Sequence, residues 1–588
     1  MKLLKIQSAL AGIFISGTLA APAAPAVEPQ PALEPQPGPD AAAQVLEERW
    51  KTVSVDIPSV GSITGRSLLN TESFNAIPYA DPPVGPLRLK PPKRFSGDLG
   101  THDGTGIAPA CPQMLISSKS GDFVSNIAGK VLDLPFLKVL QGQEDCLTLN
   151  VQRPAGTKAG DKLPVLFWIF GGAFQLGGSN LYDATSLLAS AAYQDQPFVF
   201  VAINHRVAGF GFMPGKEVLA DGSANIGLLD QRMALEWVAD NIEAFGGDPD
   251  KVTLWGLSSG GISVFDQMLL YGGNATYKDK PLFRGAIINS GGVAPADPMD
   301  CPKGQAVYDT VVREAGCEGS PDSLDCLRQL DYATFHKAAN SVPAFLSYTS
   351  VALSYVPRPD GVVLPDSPER LVESGRIHAV PMIIGNQEDE GTLLAIFQWN
   401  VTTADDMADY LSDHLFQTTP RDKLKEYVDL YNPAILQGSP FRTGFLNELY
   451  PGFKRVAAIL GDMVFTLSRR VLLKQLSRVK PQMPVWSYLS SYDFGTPFLG
   501  TFHGSEVLQV FFGVWPNHAM RSTRTYYFNF VYNLDPNIGV GSYAKWPQWK
   551  EKQELLWFKW AWSNDYIKDD FRSGAGAWLD KNAHLLHI

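Results

Sequence analysis

The chain has 588 residues, of which 45% are hydrophobic and 19% charged, with a formal net charge of −11. That balance belongs to a folded globular protein, and the length suits one large α/β domain or two or three ordinary ones. A net negative charge with no dense Lys/Arg run excludes a phosphate-tracking nucleic-acid surface.

The first twenty residues have the pattern of a secretory signal. Lys2 and Lys5 precede an apolar core led by Ala9–Ile15, too short to span a bilayer. Thr18 and Ala20 stand at the −3 and −1 positions, so cleavage is expected after Ala20. Residues 21–48, rich in Pro and Ala, read as a linker or pro-segment, and 49–588 as a single domain. No later apolar run reaches the length of a transmembrane helix, and no anchor signal is read at the C-terminus. Five cysteines fit an exported protein. Cys317 and Cys326 could close a small loop and Cys111 and Cys146 a larger one, leaving Cys301 over. Asn274 and Asn400 begin N-x-T sequons and are glycosylation candidates in a eukaryotic source.

Thr52 to Gly65 reads as short β segments. Residues 74–92 (FNAIPYADPPVGPLRLKPP) are dense in proline and fit only extended chain and turns. Between Cys111 and Cys146, an apolar segment from Phe123 to Leu140 reads either as a core helix or as a lid over an apolar site. Leu163–Phe170 and Phe198–Asn204 are continuous apolar runs, as expected for strands covered on both faces. A helix is expected over Gln231–Phe245, closed by Gly246-Gly247. Further strands are expected at Val252–Trp255, Phe283–Ile288, Val380–Ile384 and Pro484–Leu489. Strands alternating with helices imply a mainly parallel α/β sheet. Thr403–Leu472 reads as an inserted helical cap.

The candidate chemistry starts at Gly256-Leu257-Ser258-Ser259-Gly260. This G-x-S-x-G follows an apolar strand and precedes an apolar helix start, the context of a nucleophile elbow. A serine nucleophile needs a histidine as base and an acid to orient it, in the chain order Ser, acid, His. Of nine histidines, His503 lies in a glycine-bracketed loop after the Pro484–Leu489 strand, at the correct sheet edge. His584 and His587 lie at an end expected to fray, and His378 precedes a strand, at the wrong edge. The Val380–Ile384 strand runs into Glu388, Asp389 and Glu390, among which position does not choose. Gly171-Gly172-Ala173, after another strand, suits an oxyanion loop, giving Gly172, Ala173 and Ser259 as donors.

Taken together, these features resemble the type-B carboxylesterase/lipase family, which includes cholinesterases, secreted fungal lipases and sterol esterases. The resemblance rests on residues 74–92, EDCLTLNVQRP from Glu144, FGGAF, NIGLLDQRMALEWVADNIEAFGGDP, the elbow and IGNQEDEGT, and covers nearly all of 50–588. It implies an α/β-hydrolase fold with a lid-like disulfide loop. It matches the acid to Glu390, the base to His503, and the disulfides to Cys111–Cys146 and Cys317–Cys326. It also implies ion pairs of Arg66 with Glu144 and Arg206 with Asp230. Three departures stand out. Leu257 replaces the usual Glu before the nucleophile, Ser259 the usual Ala after it, and Ala173 the third loop glycine. The 112–145 loop has no Trp to hold a quaternary ammonium.

The expected activity is a secreted serine hydrolase of apolar, uncharged esters, working through an acyl-enzyme without metal or other cofactor. Its partners would be small-molecule or lipid ester substrates, with a lipid interface as a further candidate. A small- or aryl-ester esterase and a non-catalytic binding protein on the same fold are the alternatives. A cluster of Trp546, Trp549, Trp557, Trp560 and Trp562 is expected to pack a C-terminal helix.

Overall fold

The computed structural model describes residues 50–58, 60–119 and 142–588. The expected signal peptide, the linker and the apolar segment Phe123–Leu140 lie outside the described residues.

Among the described residues, a thirteen-stranded mixed sheet forms the centre of the fold. Its strands are β1 (Lys51–Ile57), β2 (Gly61–Leu68), β3 (Thr71–Pro78), β4 (Thr101–Asp103), β5 (Thr148–Pro154), β6 (Leu163–Ile169), β7 (Val199–Ile203), β8 (Gly247–Leu257), β9 (Gly285–Asn289), β10 (Met382–Gln387), β11 (Val485–Ser490), β12 (Glu554–Trp560) and β13 (Ser563–Lys568). Their spatial order is β1-β2-β3-β5-β7-β6-β8-β9-β10-β11-β12-β13, with β4 beside β2. From β7 to β12 every pairing is parallel, and antiparallel strands flank this centre. The strands expected from continuous apolar runs are the central ones. Val165, Phe167 and Ile169 of β6 feed one core, and Leu166 and Trp168 the core on the other face, as strand alternation requires.

The helices that matter for the site are α1 (Ile226–Asn241), α2 (Ser259–Gly273), α3 (Pro368–Glu373), α4 (Ala404–Tyr410), α5 (Arg421–Val428), α6 (Phe453–Gly461), α7 (Leu467–Val479), α8 (His518–Asn533) and α9 (Ser573–Asn582). None in the described residues is long and apolar enough to cross a membrane. The helix expected at 231–245 starts earlier, at Ile226, after Asn225 turns the chain at φ 52°. The expected helical cap is α4 to α7. Between α6 and α7 the helix widens into a π turn, Asp462–Thr466. These helices share a third apolar core with α9, including Leu394, Phe453, Phe465, Val471 and Leu579.

Disulfides join Cys111 to Cys146 and Cys317 to Cys326, and Cys301 is free and buried. Both sequon asparagines, Asn274 and Asn400, are exposed.

Three expectations are corrected. Glu144 pairs with Arg88, through Nε–Oε1 at 2.6 Å and Nη2–Oε2 at 2.8 Å, and not with Arg66. Arg66 is committed to β2, opposite Thr52 and Ser73, whereas Arg88 is 3% exposed at the end of the proline-dense stretch. The second pair, Arg206–Asp230, forms as expected, at 2.7 and 2.8 Å. The Trp cluster does not ride on a helix as a whole. Trp549 opens a single turn, Trp557 and Trp560 lie on strand β12, and Trp562, 71% exposed, stacks on Trp560. Finally, His587 does not fray: it is buried against Glu369 Oε1 (2.8 Å) and Asp297 Oδ1 (3.3 Å).

Candidate active site

Ser258 stands at the carboxyl end of β8, between strand and helix, with φ 58° and ψ −127°. A non-glycine residue rarely holds such a conformation, and it persists here because its surroundings over-determine it. Ser258 N donates to Asn289 O (2.9 Å), and Ser258 O accepts from Ile262 N (2.9 Å) to start α2. The flanking glycines are dictated by contact. A Cβ on Gly256 would lie 2.3 Å from Gly260 O, and one on Gly260 would lie 2.2 Å from Ile169 O.

The loop after β6 passes directly over the serine. A Cβ on Gly171 would sit 2.9 Å from Ser258 Cβ. Gly172 (φ 140°) and Ala173 (φ 57°) turn the chain, and Gln175 N and Leu176 N close the turn onto Gly172 O at 2.9 and 3.0 Å. Gly172, Ala173, Ser258, Ser259 and His503 all line one cavity.

Behind His503 sits Glu390. Its Oε2 accepts from His503 Nδ1 at 2.6 Å. Its Oε1 accepts from Gln387 N (2.8 Å) and Asn386 Nδ2 (3.2 Å). Asn386 is in turn held by Arg469 Nε (2.8 Å), and Arg469 forks onto Asp569 at 2.8 and 2.9 Å. Gly391 follows Glu390 because α6 is so near: a Cβ there would lie 1.8 Å from Ala457 O. Burial alone would push the His503 imidazole down. The Glu390 carboxylate, by charge and hydrogen bond, and Glu506 by charge hold it above its ordinary value. The Phe465 ring from the π turn stacks on the imidazole, centroids 4.6 Å apart.

The two other carboxylates of the trio face elsewhere. Glu388 pairs with Arg442. Asp389 Oδ1 accepts from Ser439 Oγ and Phe441 N, both at 2.8 Å, and its Oδ2 from Thr501 N at 2.9 Å.

Sequence reasoning missed two supports. Asn289 ends β9, carries the Ser258 amide on its carbonyl, and accepts on Oδ1 from Tyr527 Oη (3.0 Å) and Trp255 Nε1 (3.2 Å). Its Nδ2 donates to Glu506 Oε1 at 3.2 Å. Burial, then the charge of Glu390, pushes the Glu506 carboxyl up to about 7. The one available signal for Glu506 was its position three residues after His503.

The cavity holds about 290 Å³, near the lower bound of about 300 Å³ typical of small-molecule sites. Apart from the groups named above, its wall is mostly apolar, with Phe345, Leu394, Phe416, Val471, Leu579 and Ile588 among the contributors.

Residues 51–566 match the Carboxylesterase family. The chain belongs to that family. A secreted triacylglycerol lipase, LIP1, of Gibberella zeae is 59% identical over 548 residues, 93% of each chain. Secreted lipase 1 of Botryotinia fuckeliana is 53% identical, over 92% of this chain and 95% of its own. The crystal structure of Aspergillus niger EstA superposes with a TM-score of 0.76 at 24% identity, covering 91% of this chain and 99% of that one. That likeness is one of fold.

As a carboxylesterase, the protein is a hydrolase of carboxylic esters. Its Leu257 lines the cavity beside the serine and gives that wall an alkyl surface in place of a charge.

Proposed function

We propose that this carboxylesterase is a secreted lipase for long-chain, uncharged esters, acting through an acyl-enzyme on Ser258. His503 takes the hydroxyl proton as Ser258 attacks the acyl carbon, then returns it to the leaving alcohol. Glu390 orients the imidazole and stabilises its cationic form. The amides of Gly172, Ala173 and Ser259 receive the oxyanion. Water, deprotonated by His503, then releases the acid. Secretion is supported by the Lys2–Ala20 signal pattern and by the names of the Gibberella and Botryotinia relatives.

The observation that carries the lipase reading is the mostly apolar cavity lined by Ser258 and His503, which suits an alkyl chain and offers a cation no carboxylate at position 257. A fluorophosphonate probe should label Ser258 and not a Ser258→Ala variant, which should keep roughly a thousandth or less of the turnover. Across glycerol esters from butyrate to stearate, kcat/KM should rise with chain length. A maximum at acetate or butyrate would replace this reading with a small-ester esterase.

A further inference from the structure

Asp266 does not fit an apolar acyl cavity. It lies on α2, is 1% exposed, and lines the cavity. Neither of its carboxyl oxygens has a hydrogen-bond partner among the described residues. Burial pushes its carboxyl well above the ordinary range, which favours the neutral acid, a donor and acceptor in one group. Buried polar groups are nearly always paired, so this one calls for a partner that the described residues do not provide.

Its position is defined. Ser258, Ile262 and Asp266 all line the cavity, and their four-residue spacing is that of one helical face. Eight residues at about 1.5 Å each place Asp266 about 12 Å along α2 from the nucleophile. With C–C bonds of about 1.5 Å and tetrahedral angles, an extended alkyl chain covers that length in about nine or ten carbons. From α7, Ser468 and Gln475 line the same cavity. Gln475 Nε2 donates to Glu373 Oε1 at 3.2 Å, while its Oε1 has no partner among the described residues. Helix α3 packs against both α2 and α7, so these groups belong to one three-helix assembly. An unsubstituted acyl chain laid along α2 would expel water from Asp266 and give it nothing in return.

We propose that the cavity is a site for acyl chains bearing a hydroxyl about nine to eleven carbons from the ester carbonyl, hydrogen-bonded by Asp266 and Gln475. This rests on the reading of the cavity as the acyl site. The hydroxyl oxygen accepts from the Asp266 acid proton, and the hydroxyl proton is donated to Gln475 Oε1.

The test is steady-state hydrolysis of methyl stearate, methyl 10-hydroxystearate and methyl 2-hydroxystearate in one detergent. For the wild type, kcat/KM for the 10-hydroxy ester should exceed that for stearate by about tenfold, the scale of one net hydrogen bond. The 2-hydroxy ester should show no gain. In Asp266→Leu the tenfold ratio should fall to about one or below, and in Gln475→Leu it should fall part of the way. Circular dichroism and melting temperature check that the variants fold, and replacing an unpaired buried carboxyl with a similar alkyl group favours folding. A wild-type ratio of one or less overturns the proposal without any variant, as does an advantage that survives Asp266→Leu. The underlying acyl-site reading fails differently, by a flat profile across unsubstituted butyrate, octanoate and stearate. A profile that rises with length but ignores the hydroxyl overturns only the role of Asp266 and Gln475.

Discussion

The carboxylates of Asp389 and Glu390, neighbours in the chain, serve different loops. Glu390 reaches His503 Nδ1 at 2.6 Å, while Asp389 ties Ser439, Phe441 and Thr501 together. Their removal should therefore separate chemistry from scaffolding. Glu390→Gln should lower kcat by about a thousandfold or more while the melting temperature moves little. Asp389→Asn should lower the melting temperature and keep kcat within about tenfold. Equal losses of kcat in both variants would contradict this division.

The pH profile follows from the same contact. The base form of His503 is the neutral imidazole, and Glu390 favours the cation, so His503 titrates above its ordinary value. The acid limb of kcat/KM should then have its midpoint above the ordinary histidine value of about 6.5. In Glu390→Gln the residual activity should show that midpoint at lower pH. Rate profiles from pH 4 to 9 decide the matter, and a midpoint that stays put would remove Glu390 from the role.

Leu257 should govern charge preference. Leu257→Glu would place a carboxylate in the cavity wall beside Gly504 and Ser258. The ratio of kcat/KM for butyrylcholine to that for its uncharged carbon isostere should rise several-fold, and activity on long-chain esters should fall. An unchanged ratio would mean that the cavity wall at 257 does not sense the alcohol.

His587 gives a stability signature. Its hydrogen bond to Glu369, against the opposing effect of burial, raises its value above the ordinary one, with the charges of Glu369 and Asp297 adding to the rise. The folded state therefore binds its proton more tightly than the unfolded chain. This contribution is fully present below about pH 6.5 and is lost as pH rises through the folded value. His587→Gln should thus lower the melting temperature more at pH 6 than at pH 9. A larger loss at pH 9 would reverse the assignment.

What could be read in advance depended on how local each signal is. The strands β6 to β11 are covered on both faces, so their apolar runs are visible without partners. The elbow is local too, because its glycines answer to atoms within a few residues or on the next strand. The proposed acid was not, since Glu388, Asp389 and Glu390 differ only in which distant loop each meets. Arg66 and Arg88 are equivalent in composition, and only the path of the proline-dense chain brings Arg88 to Glu144. Trp557 and Trp560, three apart, imitate helical spacing, but β12 is held by its pairing with β11 and β13. Asp266 falls in an apolar helix start, where nothing local says that it faces a cavity.

The backbone of Ser258, at φ 58° and ψ −127°, ties two selective pressures to one position. A conformation of this kind stores about 1–3 kcal/mol, which glycine would release. Improvement of this protein by heat alone would therefore reward variants that relax the elbow, and each such step would remove the hydroxyl or move it off target. Thermal selection has to be run with turnover as a second gate, or the heat survivors will accumulate as inert folds.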